Sequence, residues 1–264
     1  MRLVYAAFIL LLVLMTSAQC QQTAEDWLDK GLALGIQGKL NESITAFDEA
    51  IKLDPKYADA WGNKGTALAG LGKYDEAIKA CDEAISLDPN LAAAWYNKGL
   101  ALYGQGKYDE AIKACDETIK LDPNIAMAWN NKGAALNEKN KYGEAIKACD
   151  EAIRLDPSLA MAWSNKGRAL AGQGKYDEAI KDCDEAIRLD PSLAMAWNNK
   201  GAVLNEKNEY DEANKAFDEA IRLDPNLALA WNNRGIVLDA LGKATEAEAA
   251  FAKARELGAT GPAS

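Results

Sequence analysis

Apolar and polar positions along this chain fall into short helical stripes that repeat. Between Ala126 and Leu159 the first stripe is Trp129, Gly133, Ala134 and Leu136. The second is Tyr142, Ala145, Ile146, Cys149, Ala152, Ile153 and Leu155. Spacings of three and four put each set on one helix face, so two amphipathic helices are predicted. The same block recurs with tryptophan at 27, 61, 95, 129, 163, 197 and 231, each 34 residues from the last. A period of this size means one helix pair copied along an array, not one globule. With tryptophan at position 4, seven repeats run 24–57, 58–91, 92–125, 126–159, 160–193, 194–227 and 228–261, with a tail at 262–264. The expected fold class is an all-α solenoid of seven antiparallel helix pairs.

The repeat boundaries carry their own chemistry. Asp-Pro stands at Asp54-Pro55, Asp88-Pro89, Asp122-Pro123, Asp156-Pro157, Asp190-Pro191 and Asp224-Pro225. Proline fits a first helical turn, so the pair is expected to start each following helix with Asp as its cap. Asp-Glu pairs such as Asp75-Glu76 and Asp177-Glu178 are expected to open the second helices, where carboxylates meet the positive helix end. Gly104-Gln105-Gly106-Lys107 lacks the Ser or Thr and the preceding strand of a phosphate loop. Its glycines are expected to serve turn geometry.

The repeated positions are Trp at 4, Gly at 8, Ala and Leu at 10 and 11, Tyr at 17, Ala at 20 and 27, and Pro at 32. This set resembles the tetratricopeptide-repeat family over residues 24–261. The resemblance implies a right-handed superhelix whose first helices line a concave face. Repeat 7 departs, with Ala244 for Tyr and no Pro at 32. Position 24 is Cys in four repeats where the family prefers Phe or Tyr. Repeats 4 and 6 are almost the same sequence and repeats 3 and 5 share Gly-Gln-Gly-Lys-Tyr-Asp-Glu-Ala, which points to copying of a two-repeat block. Asn214 replaces the aliphatic residue expected at position 21 and is predicted to weaken repeat 6.

Residues 1–20 read as a signal peptide or membrane anchor. Arg2 is the positive end, Leu3 to Met15 the apolar core, and Thr16-Ser17-Ala18 a small-residue exit with cleavage expected near Ala18. The apolar run is shorter than the roughly 20 residues of a spanning helix. Cys20 is a candidate lipidation site, although Gln19 departs from the usual small residue before it. The array is thus expected outside the cytoplasm, touching membrane only through this segment.

A net charge of −10 disfavours nucleic acid as a partner. The absence of histidine removes the commonest general base and imidazole ligands. No enzyme, cofactor or metal is expected. Cys81, Cys115, Cys149 and Cys183 form a ladder at position 24. Helices pack roughly 8–10 Å apart, too far for disulfides needing Cα atoms within about 7 Å. They read as buried thiols. The tryptophans are expected in the core, so Trp129→Ala is expected to cost about 3–5 kcal/mol. Asn41-Glu42-Ser43 matches an N-glycosylation acceptor, or Asn41 caps the second helix.

The resemblance places positions 2, 5, 6, 9, 12 and 13 in the concave groove. Position 6 is Asn63, Asn97, Asn131, Asn165, Asn199 and Asn233. Each amide has one acceptor and two donors. The ladder resembles that of the repeat arm of O-linked N-acetylglucosamine transferases, which implies peptide holding without catalysis; alternatively these amides bond between helices. Tyr96, Tyr103, Met127, Met161 and Arg168 are expected to tune the choice of peptide, and Glu138 and Glu206 make the groove mildly acidic. The lysines at position 7, Lys64 to Lys200, are expected to look away and pair with acids of adjacent helices. The expected function is a protein-interaction scaffold holding an extended peptide or protein surface. The alternatives are a self-assembling array and a recruiting accessory of an envelope complex.

Overall fold

The computed structural model describes residues 22–258, so the expected signal segment, Cys20 and the tail lie outside the described residues. Fourteen α-helices make up the described chain: α1 Ala24–Ile36, α2 Leu40–Leu53, α3 Ala58–Gly70, α4 Tyr74–Leu87, α5 Ala92–Gly104, α6 Tyr108–Leu121, α7 Ala126–Glu138, α8 Tyr142–Leu155, α9 Ala160–Gly172, α10 Tyr176–Leu189, α11 Ala194–Glu206, α12 Tyr210–Leu223, α13 Ala228–Ala240 and α14 Ala244–Glu256. They form the predicted pairs, one pair per repeat. The chain divides inside α5 into two compact bodies, ending at Ala101 and starting at Leu102.

The helices start and stop by means that differ from the sequence expectation. The aspartate of each Asp-Pro pair ends the second helix in extended conformation and does not cap the next one. Its carboxylate accepts the backbone N–H two residues on, as in Lys56 to Asp54 at 3.0 Å and Ser158 to Asp156 at 2.9 Å. That is an Asx turn, with proline inside it. The following helices begin after Tyr57, Ile125, Leu159, Leu193 and Leu227, none of which caps with a side chain. α1 has a capping box, between Thr23 and Asp26. Asn41 is the second residue of α2, whose cap is Lys39, so it caps nothing. The Asp-Glu pairs do lie in the first turns of their helices.

The turn inside each repeat needs a left-handed residue. Gly106 has φ +78° there, and in repeats 4 and 6 Asn140 and Asn208 take φ 57° and 61°. Asparagine tolerates that region better than most residues, and the tyrosines Tyr142 and Tyr210 donate to the two side chains at 2.6 Å.

In the first body, Leu28, Phe47, Ala50, Ala60 and Ala67 form one buried cluster and Leu68, Ala77, Ala80 and Ala101 a second, with Ile44 packed against both. The second body repeats the device. Ile146 packs against the clusters around Leu136 and Leu170, and Ile180 against those around Leu170 and Leu204. Ile44, Ile146 and Ile180, one per second helix, thus each join their own repeat to the next. Cys81, Cys115, Cys149 and Cys183 are free and buried, and burial pushes each thiol up to about 12. Cys149 fits because Gly133 lies opposite: a Cβ there would stand 2.6 Å from its sulfur.

The tryptophans depart from expectation: all seven are half-buried. In repeats 2 to 7 the ring packs on core with one part only, because its indole N–H reaches the turn before it. Trp129 donates to the Pro123 carbonyl at 3.0 Å and Trp163 to that of Pro157 at 3.0 Å. The position-7 lysines lie over the rings at 5.3–5.9 Å in repeats 2 to 6. Their ammonium groups reach back to the preceding second helix, Lys64 to Asp48 and Lys132 to Asp116 at 2.6 Å each. Half-burial moves the expected cost of Trp129→Ala to the low end, about 3 kcal/mol.

Candidate functional site

The candidate residues lie on the first helices, and each body holds its own share. In the first body, Asn63 donates to the Asp59 carbonyl of its own helix at 2.8 Å, and Asn97 to the Gly62 carbonyl of the preceding repeat at 3.3 Å. Tyr96 is half-buried beside it.

The second body carries the denser network. Asn165 Nδ2 donates to Asn130 Oδ1 at 2.9 Å and Asn233 Nδ2 to Asn198 Oδ1 at 3.1 Å. Asn199 Nδ2 donates to Ser164 Oγ at 3.0 Å. In repeats 5 to 7, position 6 is therefore tied to position 5 of the repeat before, 35 residues back. Asn130, Ser164, Asn198 and Asn199 are buried in this seam. Asn137, also buried, donates to the Asn165 carbonyl at 2.8 Å. Asn131 accepts from Asn130 at 3.2 Å, while its own buried Nδ2 has no partner. Asn97, Asn165, Asn199 and Asn233 thus spend a donor between helices, and buried seams of this kind favour one register of packing.

Around the seam the surface alternates between aliphatic and charged. Met161, Met195 and Leu229 share position 2 and are 39%, 38% and 47% exposed; Ile236, at position 9, is 41% exposed. Met127 is half-buried. An ionic cluster is built from three successive repeats. Tyr103 of α5 donates to Glu138 Oε1 of α7 at 3.2 Å, and Arg168 Nη1 of α9 donates to the same oxygen at 2.6 Å. Burial opposes the charge on Glu138, but the hydrogen bond and charge of Arg168 outweigh it and hold its pKa below the usual value. Burial, then the Glu138 charge and hydrogen bond, push Tyr103 up to about 12. The ring of Tyr103 also meets Tyr108 edge-on at 5.4 Å.

A pocket opens next to this cluster, lined by Tyr142, Arg168, Ala171, Tyr176, Asn199 and Glu206 among others. The tyrosines at position 17 were read in the sequence as repeat pattern alone. The signal that marks them is Gly172, whose missing side chain leaves space for the Tyr142 ring. Among the described residues no group of three or more His, Cys, Asp or Glu is placed to hold a metal, and no helix is long and apolar enough to cross a membrane.

Stacked helix pairs with a patterned first-helix face define the class as a repeat protein of helix–turn–helix units. Tetratricopeptide-repeat sequence profiles match residues 28–92, 96–160 and 160–193, and a TPR-repeat profile matches 201–242. The chain belongs to the tetratricopeptide-repeat family. No curated protein matches it. Among solved structures, a chain of the APC/C hetero-tetramer Cut9-Hcn1 superposes with a TM-score of 0.74 at 22% identity over 83% of this chain, which spans 43% of that chain's length. A tetratricopeptide repeat protein from Parabacteroides merdae superposes with a TM-score of 0.75 at 17% identity, covering 90% of this chain and 94% of that one. These two likenesses establish fold alone. YrrB, described as a TPR protein with an unusual peptide-binding site, is 25% identical with a TM-score of 0.53, covering 70% of this chain and 95% of its own.

Proposed function

We propose that this protein is a non-catalytic interaction scaffold that holds an extended peptide or protein surface along its first helices, outside the cytoplasm. The observation that carries the reading is the row of exposed Met161, Met195 and Leu229, one per repeat, beside the amide seam. Exposed aliphatic groups at a fixed period offer a partner regularly spaced, adaptable contacts. The likeness to YrrB supports a peptide as the ligand class. The extracytoplasmic location rests on Arg2 and the apolar run from Leu3 to Met15, and N-terminal sequencing of protein from fractionated cells tests it.

Selection of a random peptide library on the immobilised full chain tests the binding reading. Recovered peptides are expected to bind at least about tenfold more weakly when Met161, Met195 and Leu229 are replaced by serine, a loss of roughly 1.4 kcal/mol. Unchanged binding moves the site off this face. An Asn131, Asn165, Asn199→Ala variant is a poorer probe, because those amides also bond between helices; it needs an unfolding curve beside it. Self-association is the second reading, favoured by Ile36, 90% exposed on α1. Light scattering across a concentration series separates the two.

A further inference from the structure

The copied block places the same glutamate twice in two different settings. The first helices of repeats 4 and 6, Ala126–Glu138 and Ala194–Glu206, differ only at Ala135 and Val203. Glu138 ends the first and is satisfied by Tyr103, 35 residues earlier, and by Arg168, 30 residues later. The same offsets from Glu206 lead to Ala171 and Ile236. Both partners of the carboxylate are gone. Glu206 is exposed and makes no hydrogen bond or ion pair of its own.

The setting of Glu206 is otherwise that of a site. It lines the pocket with Tyr142, Tyr176 and Asn199, and Ala171 stands where repeat 3 carries the phenol of Tyr103. Arg168 also lines this pocket, but its charge is met by Glu138. Glu138, Arg168 and Glu206 together leave one uncompensated negative charge. Ile236, exposed at the place homologous to Arg168, offers an apolar surface for an alkyl stem.

We infer that Glu206 recognises an arginine side chain of the bound peptide, whose guanidinium takes the place that Arg168 fills beside Glu138. The internal cluster supplies the template: a guanidinium N–H donating to a carboxylate at 2.6 Å. The tyrosine faces of the pocket favour the same cation. The inference rests on the peptide-binding reading above and adds a charge preference to it.

The test uses the full chain and fluorescein-labelled decapeptides based on a library-selected sequence. The central residue is arginine, its neutral isostere citrulline, or glutamate, and binding is read by fluorescence anisotropy. The arginine peptide is expected to bind about tenfold more tightly than the citrulline peptide, as a charge-assisted bond exceeds a neutral one. Glutamate is expected to bind most weakly. Glu206→Gln is expected to erase the arginine preference, while Glu246→Gln on exposed α14 keeps it. A double Ala171→Tyr, Ile236→Arg variant rebuilds the internal cluster and is expected to lose the preference although Glu206 is retained. Equal affinity for arginine and citrulline, with binding still dependent on Met161 and Met195, overturns this inference and leaves the groove reading standing. Failure of every library peptide to bind overturns both.

Discussion

Ile146 and Asn214 occupy the same position in repeats 4 and 6, and the seams they face differ accordingly. Ile146 packs against the buried clusters of its own repeat and of repeat 5. Asn214 spends its amide on Asp218 of its own helix, at 3.2 Å, and its buried Oδ1 has no partner. The cluster beyond it, Leu238, Ala247 and Ala250 with Trp231 and Phe251, draws on repeat 7 alone. In a stacked array each repeat is stabilised by itself and by its neighbours, so a single residue can weaken one seam and leave the others intact. Repeat 7 is held to repeat 6 instead by Val237, buried with Leu204, Ala213 and Phe217, and by the Arg234–Asp218 pair at 2.6 Å.

Moving the asparagine gives the largest expected effect. Ile146→Asn should cost about 2–4 kcal/mol, the loss of a packed aliphatic plus a polar group without a partner. Urea unfolding reads the loss, and a cost below about 0.5 kcal/mol would show that the isoleucine does not join the repeats. The reverse change, Asn214→Ile, should stabilise by about 1–2 kcal/mol, since the unpartnered oxygen disappears and apolar area is gained. Hydrogen exchange should slow in α13 and α14 while α3 and α4 stay unchanged. Slowing spread evenly over the chain would contradict a local seam.

Asp182 is a second interruption of the same kind. Its counterparts Ala80, Ala114, Ala148 and Ala216 are buried alanines. Asp182 instead places a carboxylate 3.7 Å from Lys166, which is already paired with Asp150 at 2.9 Å. Burial raises the pKa of Asp182 more than Lys166 lowers it, with Asp150 and Glu178 adding repulsion. A carboxyl whose folded pKa exceeds its unfolded value favours the fold when protonated, and that contribution is lost as pH rises through the folded pKa. Asp182→Ala should therefore gain about 1 kcal/mol at pH 7, and the gain should shrink as pH falls through the carboxylate range. Melting curves of both proteins across pH test it; a gain independent of pH would assign the effect to packing instead.

The period of seven tryptophans made the helix pairs and their order readable from sequence, because periodic burial leaves a periodic trace. The lysine pairing was readable too, since position 7 falls off the apolar stripe. What escaped was whatever depends on contacts across repeats. The half-burial of the tryptophans of repeats 2 to 7 follows from an indole bond to a proline carbonyl six residues back, and the Asx turn follows from a backbone conformation that Asp-Pro alone does not determine. The Tyr103–Glu138–Arg168 cluster joins residues 30 and 35 positions apart, and its three members were named as groove residues without being named as partners. Comparing copies at those offsets, once the cluster is known, separates Glu138 from Glu206.

The smallest expected effect concerns the lysine ladder of repeats 2 to 6, whose place in repeat 7 is taken by Arg234. Lys132 and Lys200 each pair with an aspartate of the preceding second helix at 2.6 Å, and those aspartates are half exposed. Such pairs contribute only about 0.2–1 kcal/mol and are screened by salt. Lys132→Gln should therefore cost about 0.5 kcal/mol in denaturant unfolding, with the difference fading in 1 M salt. Lys166→Gln should cost more, because it leaves Asp150 and the largely buried Asp182 facing each other without a cation. Equal losses for the two variants would mean that Asp182 is already neutral in the folded protein at the pH of the measurement. That result would move the midpoint of the Asp182→Ala pH profile above that pH.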